Sequence, residues 1–340
     1  MKAVVYHQSA GLVVKDVPIP HMEDDQVLVQ VVNTGFCGSD HSMLEGGGLP
    51  DGTILGHEVS GIVAERGAAV KGPDRGTRVV VRPTFCGKCR ECLMGKPYLC
   101  QVNRRLIGMG DLPGAFAEYI KVFPQMLIPV PEGVDSRNAA MAEPFAASLH
   151  GIKCSGKRGG SALVMGAGTI GLALIKLLKL MEFSPIAVSE PVEEKRDLAR
   201  AFGADFTVNS FAQDLSQHLF ESSKGIGFET VFECSGVPSS VQSAMDFAAK
   251  GGTVCIISVI PKEVPILPMT LTFKEIWLTA SYSNTHHENI QCLQWMSEGR
   301  LDGRPMITDL INLEQLPQAY QDRIHSGKAI KVMLKIGEEF

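Results

Sequence analysis

The stretch Ser161–Leu180, SALVMGAGTIGLALIKLLKL, constrains the fold more than any other part of the chain. It reads as an apolar strand, a turn with glycines at 166, 168 and 171, and an apolar helix. A G-x-G-x-x-G pattern carries meaning in this strand-to-helix setting and little outside it. Gly166 permits the tight turn, Gly168 lets backbone approach a pyrophosphate, and Gly171 lets the helix pack closely on the strand. Thr169 and Ile170 open the helix, whose free N–H groups and partial positive charge suit phosphates. Strand and helix keep alternating afterwards: SPIAVSE, VEEKRDLARAFGA, DFTVN, TVFECSG, VQSAMDFAAKG, GTVCIISV, IWLTASY. Apolar strands in such alternation imply a parallel sheet covered on both faces. The second strand ends at Glu190, 24 positions after Gly166, where a carboxylate can accept hydrogen bonds from adenosine ribose hydroxyls. Lys195 follows on the next helix, within reach of the same ribose. The expected cofactor is NAD, with NADP as the alternative.

A chain of 340 residues exceeds one simple core, so two domains are expected. The first third is β-rich, in VLVQVVNTGFCGSD, EVSGIVAERG and TRVVVRP. Near residue 135 the texture turns helical, in SRNAAMAEPFAASLHGIKCSG with Ser136 as its N-cap. After Tyr282 the chain returns to mixed helix and strand and ends in KAIKVMLKI. The expected domains are 1–149, a dinucleotide-binding 150–281, and a return to the first domain over 282–340. The net charge of -5 and the lack of a basic stripe argue against nucleic acid as a partner. No apolar run reaches the length of a membrane span, and the N-terminus lacks a signal peptide's apolar stretch. The expected location is the cytoplasm, where clustered cysteines more often bind metal than pair as disulfides.

Four of the nine cysteines fall in TFCGKCRECLMGKPYLC: Cys86, Cys89, Cys92 and Cys100. Taken alone, the cluster is open to a disulfide knot, a redox centre, an iron–sulfur site or a zinc site. Other potential ligands stand apart. Cys37 lies in GFCGSDH at the end of a strand, His57 and Glu58 lie in ILGHEVSG, and Glu143 precedes Pro144. Singly these read as a small buried hydrophobe, a core histidine and a helix-start carboxylate. Together a thiolate, an imidazole and a carboxylate can hold zinc tetrahedrally with one position left open.

The order GFCGSD, GHEVSG, four cysteines, AEP, GAGTIG and ECSG resembles the zinc-dependent medium-chain dehydrogenase/reductase family, nearer its sorbitol and threonine dehydrogenase branch. The resemblance covers nearly the whole chain. It implies an α/β fold: a doubly wound Rossmann domain beside a β-rich, GroES-like catalytic domain with a structural zinc lobe. It implies Cys37, His57 and Glu143 as catalytic zinc ligands, Glu143 directly or through water, with Glu58 as an alternate ligand. It implies Asp40 orienting His57, Ser39 relaying the substrate proton, and backbone groups of Ile257, Ser258 and Val259 holding the nicotinamide carboxamide. The lobe cysteines become ligands of a second, structural zinc. Four thiolates close the tetrahedron, and the seven-residue last gap does not suit a ferredoxin-type run.

The reaction implied is hydride transfer between an alcohol and the cofactor in a cleft between the domains, by a homodimer or homotetramer. The match departs at two places. The relay histidine expected five residues after Cys37 is Ser42, with His41 one residue early, and Ser283 stands where sorbitol dehydrogenases carry an arginine. The expected substrate is therefore a neutral secondary alcohol, diol, polyol or cyclic alcohol, with a sugar acid or hydroxy-amino acid as the alternative. Phe116 and Tyr282 are expected as aromatic walls beside it. Cys154, Cys234, Cys255 and Cys292 read as core or near-core, and His286 and His287 as solvated. A zinc-free reductase and a non-catalytic NAD-binding protein are the remaining alternatives.

Overall fold

The computed structural model describes residues Met1–Phe340. Along the chain lie β1 (Val27–Gly35), α1 (Gly38–Gly46), β2 (Glu58–Arg66), β3 (Arg78–Val81), β4 (Tyr119–Val122), β5 (Leu127–Pro129) and α2 (Ala142–Cys154). The alternating half follows with β6 (Ala162–Met165), α3 (Thr169–Leu180), β7 (Ile186–Ser189), α4 (Glu193–Ala201), β8 (Phe206–Val208), β9 (Phe228–Glu233), β10 (Ala248–Ile256) and β11 (Trp277–Ala280). Then come α5 (His286–Ser297), β12 (Ile307–Asn312) and β13 (Lys331–Lys335). Two compact units result: Met1–Glu143 with Asn289–Phe340, and Pro144–Glu288. The helix SRNAA begins one residue earlier than its sequence suggests: Asp135, not Ser136, is the N-cap, accepting from Asn138 N at 3.0 Å.

The first unit is built on a seven-stranded sheet, ordered β12-β13-β1-β2-β3-β5, with β4 also pairing with β1. Only β12 and β13 run parallel. Val27, Val29 and Val31 of β1 pack with Val59, Val63, Val79 and Val81 in its core. Each such side chain contributes about 1.5–3 kcal/mol relative to exposure. β1 is buried along nearly its whole length, as a central strand covered on both faces must be. Its end is opposite the beginning of β2, in the pairing Gly35↔Glu58, and Gly35 also pairs with Met333 of β13. That register brings three distant segments to one spot.

The second unit is a six-stranded parallel sheet, ordered β8-β7-β6-β9-β10-β11. In chain order this is 3-2-1-4-5-6, the doubly wound arrangement whose reversal point follows the first strand. β6 and β7 are buried throughout, as their apolar runs require. No helix is long and apolar enough to cross a membrane.

Candidate functional site

Phe36 carries the chain out of β1, anchored by its N–H to the Val332 carbonyl at 2.9 Å, and Cys37 then caps α1. His57 immediately precedes β2. The register described above therefore places Cys37, His57 and Glu58 with one donor atom each inside 4.8 Å. Gly35 is required here by close approach, since a Cβ on it would collide with the Glu58 carboxylate. Glu143 stands outside that group of three. Its charge still reaches the neighbourhood, because it helps hold the Lys331 ammonium in its charged form.

Asp40 is fully buried and organises the group. Its Oδ2 accepts from the Cys37 N–H at 2.9 Å, its Oδ1 accepts from the Gly56 N–H at 3.2 Å, and His57 Nδ1 lies 3.4 Å from Oδ1. Ser39 Oγ lies 3.4 Å from the other ring nitrogen, Nε2. Burial works against a charged His57, but Asp40 and Cys37 outweigh it and hold the imidazole well above its ordinary pKa. Cys37, His57 and Glu58 offer sulfur, nitrogen and oxygen donors to one point. The donor set fits zinc, a borderline-soft ion that takes sulfur, nitrogen and oxygen together.

The sequence reading missed Lys331. Its ammonium is 1 % exposed and donates to both Glu58 oxygens, at 2.6 and 2.8 Å, and to the Phe36 carbonyl at 3.0 Å. Burial opposes the charge, but Glu58 and Cys37 raise its pKa above the usual lysine value. Phe116 is a correction. It is fully buried and stacks on Phe36 with ring centroids 5.6 Å apart, so it is core rather than a wall. The apolar run Ala115–Ala117 packs inward whole. Ser42 Oγ turns back to the Gly38 carbonyl at 3.0 Å, the usual resting place of a serine inside a helix.

The four lobe cysteines also converge, with sulfur separations of 3.4 Å for Cys89–Cys92 and 3.8 Å for Cys86–Cys92 and Cys89–Cys100. Disulfide sulfurs stand about 2.05 Å apart. Four thiolates about 2.3 Å from a central zinc would stand about 3.8 Å from one another. The spacing fits a closed zinc site.

In the second unit Gly166 has φ +96°, and a Cβ there would strike Ser235. A Cβ on Gly168 would meet nothing within 4 Å, so that glycine keeps space open before the N-terminus of α3, where Thr169 and Ile170 begin the helix. A pyrophosphate fits such a cradle. Gly171 packs so closely on the Gly166 carbonyl that no side chain is possible. Glu190 is buried, with Oε2 accepting from Ala167 N at 2.7 Å and Oε1 from Val192 N at 3.1 Å. Arg196 is drawn inward to the carbonyls of Glu190 and Pro191, at 2.6 and 2.7 Å, and to the Glu193 carboxylate. Lys195 takes no part in this network and is half-buried.

Glu233 of the ECSG motif, given no role by sequence, is fully buried and accepts from Ser235 and Gly236 N–H groups and from the Ser235, Ser240 and Ser258 hydroxyls. The Glu233 carbonyl takes the N–H groups of Ile257 and Ser258. A carboxamide is thus left the carbonyls of these residues and the Val259 amide. Cys154 lies 3.5 Å from His150 Nε2, whose Nδ1 lies 3.0 Å from Glu288. Burial alone would lower the His150 pKa, but these two partners push it up to about 9. The i, i+4 spacing of His150 and Cys154 on α2 was a signal available in the sequence. Cys255 and Cys292 are buried and Cys234 is half-buried, in keeping with core and near-core positions. His286 and His287 open α5, the first half-buried and the second exposed.

Residues 23–132 match the family model of the alcohol dehydrogenase GroES-like domain, and residues 169–298 match that of the zinc-binding dehydrogenases. The chain is 31% identical to a sorbitol dehydrogenase of Halalkalibacterium halodurans over 98% of this chain and 99% of that one. It is 30% identical to an L-threonine 3-dehydrogenase of Bacillus velezensis over 98% of each. A zinc-binding dehydrogenase of Sinorhizobium meliloti, solved with NADP, superposes with a TM-score of 0.90 at 32% identity over 98% of both chains. The fold and the site define a GroES-like and Rossmann zinc dehydrogenase, and the chain belongs to the zinc-dependent medium-chain dehydrogenase/reductase family. It is an NAD(P)-dependent oxidoreductase acting on CH–OH groups of a small-molecule substrate.

Proposed function

We propose that the chain oxidises a neutral secondary alcohol, diol, polyol or cyclic alcohol to its ketone with NAD, and carries two zinc ions. The convergence of Cys37, His57 and Glu58 within 4.8 Å carries this reading. Cys37 and His57 hold the catalytic ion, with Glu143 as third ligand directly or through water and Glu58 as alternate. Cys86, Cys89, Cys92 and Cys100 hold the structural one. When bound, the catalytic zinc supplies the positive charge that acidifies an alcohol, and the nicotinamide supplies the hydride acceptor. Asp40 fixes the His57 ring. Ser39 Oγ takes the alcohol proton and passes it to water, since Ser42 Oγ is committed to a backbone carbonyl.

Neutrality of the substrate rests on the cations present. Lys331, the ammonium beside Cys37, is committed to Glu58, and Ser283 offers no charge. A carboxylated substrate would need an unpaired cation, because an unpaired buried charge is costly. An NADH-release screen over polyols, diols, cyclic alcohols, hydroxy-amino acids and sugar acids tests this. Turnover confined to carboxylated substrates overturns it.

The preference for NAD rests on Glu190. Its carboxylate repels a 2′-phosphate, and the Arg196 guanidinium is tied to backbone carbonyls. NAD is expected to exceed NADP at least tenfold in kcat/KM, about 1.4 kcal/mol. Comparable values for both cofactors, or an unchanged ratio in Glu190→Ala, remove Glu190 from this role.

The chain is also proposed to act as a homo-oligomer, paired through β11. This strand ends the six-stranded sheet, with Trp277 75% exposed, and Phe273 just before it is 73% exposed. A bare edge beside large apolar side chains suits pairing with a second copy. Leu278→Lys is expected to shift the protein to monomer in sedimentation. A wild-type monomer, or an unchanged assembly in the variant, defeats the proposal.

A further inference from the structure

α1 carries a second set of ligand-type side chains. His41 and Glu45, four residues apart, share one face of the helix. The segment Tyr320–His325, wound as a π-helix, stands against them. The Tyr320 hydroxyl donates to Glu45 Oε1 at 2.8 Å and lies 3.1 Å from His41 Nδ1. His325 Nδ1 lies 3.4 Å from the same Glu45 oxygen. The two imidazole rings meet edge to face with centroids 5.9 Å apart. One donor atom each from His41, Glu45 and His325 can be taken so that all lie within 4.8 Å.

We propose that His41, Glu45 and His325 form a third metal site, taking a divalent ion of the zinc, nickel and copper group. Imidazoles suit these metals, whereas magnesium and calcium call for a shell of oxygen ligands. Two donors about 2.0–2.1 Å from one tetrahedral ion stand about 3.4 Å apart, the separation of His325 Nδ1 and Glu45 Oε1. Tyr320, His325 and His41 hold the Glu45 carboxyl below the usual range, with the tyrosine hydrogen bond the largest cause. The Tyr320 hydroxyl bridges Glu45 Oε1 and His41 Nδ1 and so orients both side chains, leaving His41 Nε2 and the other Glu45 oxygen for an ion. His41 is half-buried while Glu45 and His325 are exposed, so the ion exchanges with solvent. Bound there, it ties α1, whose first turn carries Ser39 and Asp40, to the C-terminal segment.

The test is calorimetric titration of untagged, as-purified protein with Ni²⁺ or Zn²⁺, counting ions taken up beyond those already present. One further ion per chain is expected, binding in the micromolar range and raising the melting temperature. The two variants below keep the result separate from filling of a vacant position at either proposed zinc site. His325→Asn and Glu45→Gln should each weaken this binding at least tenfold, with resident metal content and turnover without added metal unchanged. Absence of a further ion overturns the proposal. So does a loss below tenfold in either variant.

Discussion

Cys37→Ala and His57→Ala are each expected to lower kcat/KM by at least a thousandfold, about 4 kcal/mol of transition-state stabilisation, while the chain stays folded. The reason lies in how each metal group is supported. The Cys37–His57 group stands on β1 and β2, and those strands are held by a valine core that owes nothing to an ion. The lobe has no such support. Its regular structure is a two-residue strand pair, a four-residue helix and one short turn. Its apolar side chains Leu93, Met94 and Leu99 are exposed at 75%, 60% and 41%. A segment without a core is held by its ligands, and its metal-binding free energy is folding free energy. Cys89→Ala should therefore lose one zinc and lower the melting temperature, whereas Cys37→Ala should lose the other zinc and leave the melting temperature nearly unchanged. Metal analysis per chain with thermal unfolding reads both. Equal metal loss and equal folding damage from the two substitutions would contradict the division.

What was legible in the sequence was what depends on near neighbours along the chain. The glycines at 166, 168 and 171 answer to the geometry of one turn, and their spacing names that turn whatever surrounds it. The lobe cysteines fall within fifteen residues and needed no tertiary knowledge to be grouped. Contacts set by sheet register were not legible. Lys331 sits in KAIKVMLKI, where a lysine at a strand's end reads as a solvated charge. Only the pairing of β13 with β1 shows that it faces Glu58, 273 positions earlier. Phe116 was misplaced for the same reason, because stacking on Phe36 is a tertiary fact that its loop-like surroundings GAFAEY do not betray. Arg196 is a cation beside Glu190 in the sequence, yet its helix turns it back onto two carbonyls. Side-chain charge is visible in a sequence, but its partner seldom is.

Lys331→Met is expected to cost about 3–5 kcal/mol of stability, the scale found when one partner of a buried ion pair is removed. Glu58 is 1 % exposed, and its two oxygens accept from the Lys331 ammonium at 2.6 and 2.8 Å. Methionine matches the length of the lysine stem but leaves the carboxylate facing apolar atoms and the Phe36 carbonyl without its donor. The carboxylate must then take up a proton or let in water. Neutralising Glu58 at the same time should remove most of the penalty, so Lys331→Met/Glu58→Gln is expected to be more stable than Lys331→Met alone. Urea unfolding of the four proteins gives the coupling directly. The Glu58 variants also separate two reasons for the pair. If Lys331 serves to hold the alternate carboxylate away from Cys37 and His57, Lys331→Met should lose activity by more than its folded fraction explains, and Glu58→Gln in that background should restore part of it. A loss of stability under 1 kcal/mol in Lys331→Met, or a double variant no more stable than the single one, would show that the buried pair does not support the site.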